Sequence, residues 1–163
     1  MAEAFFPDGA TVYVVAAGGT PTAGFTLTDY CTNFSQSGGA RDTESIPVFG
    51  GGNITKQNPR DQIEISFDVI LQPGSATIFD EMLFSSTLSG TAASVTSDGE
   101  GQALKVQVIW TDGSNTYTRT YDNVYMSSWD PAMGADGQLE GSIAFKMAPT
   151  TANGTANLTI TYT

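Results

Sequence analysis

Residues 62–71 read Gln-Ile-Glu-Ile-Ser-Phe-Asp-Val-Ile-Leu. Ile63, Ile65, Phe67, Val69 and Leu71 fall on one side of an extended chain. Gln62, Glu64, Ser66 and Asp68 fall on the other, which is the period of two expected of a half-buried strand. One face is therefore dry and the other wet. Pro73-Gly74 stops the strand, and Ser75 can cap a short helix reaching about Ser86. In that helix Ile78, Phe79, Met82 and Leu83 form an apolar stripe opposite Asp80 and Glu81.

The same period recurs on both sides of this segment. Thr11–Ala17 is a β-branched apolar run ended by Gly18-Gly19 and reads as a buried strand. Phe25–Ser37 mixes Thr, Phe, Tyr and Cys and suggests one or two short strands around Asp29. Downstream, Leu104, Val106, Val108 and Trp110 alternate with Lys105, Gln107 and Ile109. The Asp112-Gly113 turn then leads into an aromatic strand over Thr116–Met126, forming a hairpin. After a turn at 130–137, Leu139, Gly141, Ile143, Phe145 and Met147 oppose Gln138, Glu140, Ser142, Ala144 and Lys146. A last strand places Leu158, Ile160 and Tyr162 on one side. The expected fold is mainly β: a sandwich or partly closed barrel of about seven to eight strands with one flanking helix over 75–86. Residues 1–163 form a single domain, a size that buries about two-thirds of the unfolded surface. The 18 glycines and many Ser and Thr agree with strands and turns.

One stretch resists this pattern. Residues 38–60 contain Gly38-Gly39, Pro47, Gly50-Gly51-Gly52 and Pro59, which argue against a single regular element and for a long loop with extended pieces. Loops of this length inside a domain are uncommon and usually functional. Ile46, Val48, Phe49 and Ile54 would be wasted on a solvated linker, so they call for a partner surface.

The composition excludes most chemistry. No histidine is present, which removes the commonest general base and metal ligand, and the single Cys31 rules out thiolate zinc sites and intrachain disulfides. Cys31 is expected as a small core or interface hydrophobe in a reducing compartment. No Gly-x-Ser-x-Gly elbow occurs. The triplet Gly50-Gly51-Gly52 lacks the Lys-Ser/Thr of a phosphate loop, and the acidic turn after Asp130 misses the EF-hand spacing. Carboxylate pairs such as Glu64 with Asp68 or Glu140 arise by chance among 17 acidic residues. No enzyme, cofactor or metal is expected. Sequons at Asn33, Asn53, Asn153 and Asn157 are of a kind that Asn- and Thr-rich turns produce by chance. The N-terminal residues have no basic region before an apolar run, and no stretch approaches the length of a membrane span.

Six basic residues face those 17 acidic ones, for a net charge of −11 and a pI near 4.1. The basic residues are scattered from Arg41 to Lys146, so no patch could grip nucleic acid by displacing counterions.

The stretch Arg41-Asp42-Thr43-Glu44-Ser45-Ile46-Pro47-Val48-Phe49-Gly50-Gly51-Gly52 continues to Pro59-Arg60-Asp61 and the strand Ile63–Leu71. Together with Phe67-Asp68-Val69 and Phe79-Asp80, it resembles major tail tube proteins of long-tailed bacteriophages over roughly residues 38–86. The last third matches in strand layout. The resemblance implies a virion tail protein, made in the host bacterial cytoplasm. It also implies six-membered rings stacked into a tube, with the tape measure protein and other tail components as partners. DNA would pass through the channel without tight binding. The 38–60 loop, with Ile46, Val48, Phe49 and Ile54, would reach a neighbouring ring. Six copies at −11 carry −66, and Glu64, Asp68 and Glu140, opposite apolar strand faces, are the candidate lumen residues that would repel DNA. Lys105 and Lys146 share that type of face.

Two other readings compete. A carbohydrate-binding or adhesin-like sandwich would use the aromatic cluster Trp110, Trp129, Tyr117, Tyr121 and Tyr125. Another virion β-barrel, such as a capsid decoration protein, would bind a shell rather than stack.

Overall fold

Alternating burial over Ile63–Ile70 produces a strand with antiparallel partners on both edges. The computed structural model describes residues 10–71, 77–84, 101–134, 137–151 and 155–163. Within them lie β1 (Ala10–Ala16), β2 (Phe25–Thr26), β3 (Cys31–Gly38), β4 (Thr43–Pro47), β5 (Asn53–Gln57) and β6 (Ile63–Leu71). After α1 (Thr77–Phe84) come β7 (Leu104–Thr111), β8 (Thr116–Met133), β9 (Leu139–Met147) and β10 (Leu158–Tyr162). The main sheet has the order β2-β1-β7-β8-β9-β6-β3, with β10 also on β8, and β4-β5 form a separate pair. The expected helix limits Ser75 and Ser86, like Pro73-Gly74, lie outside the described residues.

The sheet folds over itself into a sandwich, and β8 is the shared strand. Its first half pairs with β7 and β10, and its second half pairs with β9. β3, at the far end of the order, returns across the first half: Phe34 meets Trp110 of β7 with ring centroids 5.3 Å apart. The Tyr121 hydroxyl of β8 donates to Gln36 Oε1 of β3 at 2.8 Å. Since β2 and β3 are not paired with each other, the sandwich is open rather than a closed barrel. Val12, Val14, Val106, Val108 and Tyr121 fill it from one side, and Ile63, Ile65, Phe67, Val69, Ile143 and Phe145 from the other. Phe67 sits centrally, 5.2 Å from the Phe34 ring and 6.3 Å from Phe145.

Strand β8 corrects the expected turn at 130, because it continues through Pro131 to Met133. Among the described residues its second half has one strand partner, β9, so proline there sits as on an edge strand. Where β8 changes sheets, it carries an extra residue relative to β7 between Tyr121 and Val124, and Asn123 adopts φ 53°. Asparagine tolerates that left-handed conformation better than most residues, and such a bulge sharpens the local bend. Asn157 locks the corner. Its Nδ2 donates to the Ala148 carbonyl at 2.9 Å, its Oδ1 accepts from Asn123 Nδ2 at 3.0 Å, and its backbone carbonyl accepts from the Asp122 N–H at 2.7 Å. Asn157 is buried, so the sequon it begins is inaccessible in the folded chain. Asn157→Ala deletes two side-chain bonds and orphans a carbonyl, and should cost about 2–3 kcal/mol in urea unfolding with little change in m-value.

The helix lies on β8, with Phe79 against Trp129 at 5.1 Å. Glu81, expected on a wet face, is buried instead. The chain entering β7 explains this: it passes Gly101 close to the Met82 and Leu83 carbonyls, so the helix is covered on a second side.

Cys31 packs against the core as a partly buried side chain, and desolvation pushes its thiol from 9.0 up to about 12. Between those values the unfolded thiol ionises while the folded one stays protonated. Folding stability should therefore fall as pH rises above 9 and should fall less in Cys31→Ala. Thermal melts across alkaline pH check this. At pH 8 a thiol reagent should label Cys31 only after denaturation.

Candidate assembly interface

Residues 38–60, expected as a long loop, form a protruding hairpin. Alternation in β4 and β5 is hidden by Pro47 and the glycines, yet the strands pair in register from Thr43↔Gln57 to Pro47↔Asn53. The Val48 and Gly52 backbones close the turn, with the Val48 N–H donating to the Gly52 carbonyl at 2.9 Å and Gly51 at φ 80°. At the base, Arg60 donates to the Gly39 carbonyl and Arg41 to Gln57 Oε1. Cross-strand register puts Glu44, Lys56, Ile46 and Ile54 on one face. Thr43, Ser45, Pro47, Asn53, Thr55 and Gln57 occupy the other. Ile46 is half-buried, but Ile54 is 55% exposed, Val48 is exposed, and Phe49 at the tip is 114% exposed. An isolated two-stranded ribbon is marginal in water, and one bearing apolar residues on one face and at its tip is built to be covered.

A second surface is the outer face of β3-β6-β9-β8. Register aligns Ser37, Glu64, Lys146 and Tyr125 in one row and Ser35, Ser66, Ala144 and Ser128 in the next. A third row holds Asn33, Asp68, Ser142 and Asp130, and a fourth Ile70, Glu140 and Ala132. Glu64, Asp68 and Glu140 thus share one sheet face, and Asp130 joins them. Sequence reading missed Asp130 because the neighbouring Pro131 suggested a turn. Lys146 is paired with Glu64 at 3.1 Å, and Asp68 accepts from Asn33 Nδ2 at 3.1 Å. Ser35 and Ser66 hydroxyls bond to each other at 2.6 Å. Four carboxylates and one lysine give the face a net charge of −3. Lys105, expected on the same type of face, lies instead on the opposite sheet, 3.1 Å from Asp122.

The third surface is β10. Leu158 is partly buried, but Ile160 and Tyr162, on the same side, are 51% and 64% exposed. Alternation alone does not reveal this exposure.

Of the aromatic cluster, Trp129 is 7% exposed beneath α1, Tyr121 is buried, Trp110 packs between Phe34 and Tyr117, and Tyr125 is 50% exposed on the acidic face.

No protein-family model matches the chain, and no curated protein matches it. Solved structures do. A chain of the sheath–tube complex of an extracellular contractile injection system, PVC, in its extended state superposes with a TM-score of 0.56. It is 15% identical, with 94% of this chain and 87% of that one covered. The fold is shared with injection-system components. The tube-terminating cap of the anti-feeding prophage follows at TM-score 0.55 and 12% identity, covering 93% of this chain and 88% of that one. A chain from the PVC sheath/tube terminator gives 0.53 and 13%, covering 94% and 92%. These neighbours belong to a sheath–tube complex, a tube-terminating cap and a sheath/tube terminator.

Proposed function

We propose that the chain is a structural subunit of a phage-tail-like tube, assembling with copies of itself into stacked hexameric rings. The observation that carries this reading is the hairpin: an apolar-faced ribbon with an uncovered tip on a fold shared with tube-complex components. Its Ile46, Val48, Phe49 and Ile54 would contact the neighbouring ring. The acidic face of β3-β6-β9-β8 would line the channel, where Glu64, Asp68, Asp130 and Glu140 repel phosphate and the one lysine is already paired. DNA would then slide through on its way to the host without counterion-release binding. Tape measure and other tail proteins would be further partners, and the particle location would be the virion tail. Negative-stain microscopy of the purified protein, alone and with tail initiation components, tests the reading. Rings or tubes with a central channel support it, and a permanent monomer in both conditions rejects it.

Changing Asp68, Asp130 and Glu140 together to Lys should leave tubes intact but make them retain DNA. A pull-down at low salt should recover DNA on variant tubes and not on wild-type ones, and the retention should vanish as salt rises. Equal recovery on both would remove these residues from the channel wall.

A further inference from the structure

Resting on the tube reading, we infer that the β4–β5 hairpin of one copy docks on the β8–β10 ladder of another, with its Glu44 against Arg119. Arg119 is a cation without a counter-charge. Its Nε donates to the Tyr117 hydroxyl at 2.8 Å, its guanidinium lies over the Tyr117 ring, and Nη1 bonds Gln36 Oε1. Among the described residues no carboxylate reaches it, although the chain carries 17. Directly opposite Arg119 on β10 is Ile160, and in the next row Tyr117 opposes Tyr162. The ladder therefore presents one row of cation plus aliphatic and one aromatic row, with Ile160 and Tyr162 more than half exposed.

The hairpin likewise sets a charged row beside an apolar one, its charged row holding one carboxylate and one lysine. Glu44 and Lys56 form one row, and Ile46 and Ile54 form the next. β4–β5 and β8–β10 are both antiparallel ladders, so their rows have the same two-residue spacing. Laid face to face, Ile46 and Ile54 cover the Tyr117–Tyr162 row while Glu44 reaches Arg119, and the aliphatic stem of Lys56 comes over Ile160. The acidic sheet face also exposes Ile70 and Tyr125, but they stand among Ser, Asp and Glu and offer no unpaired cation. The two patches are different surfaces of one chain. Such a contact is head-to-tail and propagates from copy to copy instead of closing a two-fold dimer.

Two measurements test the site. In a Cys31→Ser background, copies with Ile54→Cys are mixed with copies with Tyr162→Cys, assembled, and treated with a short bismaleimide. The expected product is an interchain dimer joining the two variants, formed in assemblies and absent from unassembled protein. Separately, Arg119→Glu and Glu44→Arg should each raise the assembly threshold at least tenfold, and the double swap should restore it. Arg119→Gln, which keeps a donor for Gln36, should weaken assembly without lowering the melting temperature. Assembled protein without the Ile54–Tyr162 cross-link overturns the docking site and leaves the tube reading standing. A wild-type chain that never assembles overturns both.

Discussion

Replacing Phe49 and Ile54 together by Asp will abolish assembly and leave the melting temperature unchanged. Neither side chain belongs to the core, and both are largely in water in the single chain. Surface changes of this kind move stability by no more than about 0.5 kcal/mol. In an assembly the same positions become buried. Each substitution then loses the transfer energy of a large apolar group, roughly 1.5–3 kcal/mol, before the cost of desolvating a carboxylate is counted. A combined loss of about 4 kcal/mol per contact raises the assembly threshold about a thousandfold. Sedimentation across protein concentration, paired with thermal melts, checks both halves. Persisting assembly would show that the hairpin tip contacts nothing.

The second large effect concerns the sandwich itself. Phe67→Ala should destabilise the chain by about 3–5 kcal/mol, the range for truncating a fully buried phenylalanine. At this chain length that corresponds to a fall in melting temperature of about 6–20 °C. Phe67 bridges the Phe34 and Phe145 rings, so its loss opens a cavity bordered by β3, β6 and β9. A polar change on the other side of the same strand, Ser66→Thr, should leave the melt unchanged. The contrast between adjacent residues separates the dry face of β6 from its wet face.

Much of this architecture was legible because burial alternates. Ile63 to Val69, Leu104 to Val108 and Ile143 to Met147 show the inward and outward order that their sequence pattern predicts. The hairpin was legible only as a need. Four apolar side chains in a glycine- and proline-rich stretch implied a partner, while the pairing of Ser45 with Thr55 and Ile46 with Ile54 depends on a turn whose strands pair with no other described strand. A strand without a core face carries no burial signal. β8 was truncated in the sequence reading because Pro131 is a breaker in a central strand and harmless at an edge. Asn157 was invisible as a structural residue, since a buried asparagine acquires its role from three distant backbone and side-chain groups.

The candidate channel face divides in the same way. Glu64, Asp68 and Glu140 could be chosen as the wet partners of apolar strand neighbours, but their placement on one continuous surface depends on the order β3-β6-β9-β8. That order also adds Asp130 and removes Lys105. In the proposed tube, the charge that a passing polyanion would meet is the −3 of this face repeated around the ring, not the acidic surplus of the whole chain.

A cryo-electron microscopy reconstruction of the assembled protein tests the central claim most directly. The account predicts closed rings stacked around a channel, with Glu64, Asp68, Asp130 and Glu140 on its wall and the β4–β5 hairpin seated on another subunit. Protein that stays monomeric, or an assembly whose channel is lined by another face while the hairpin tips project into solvent, would contradict it.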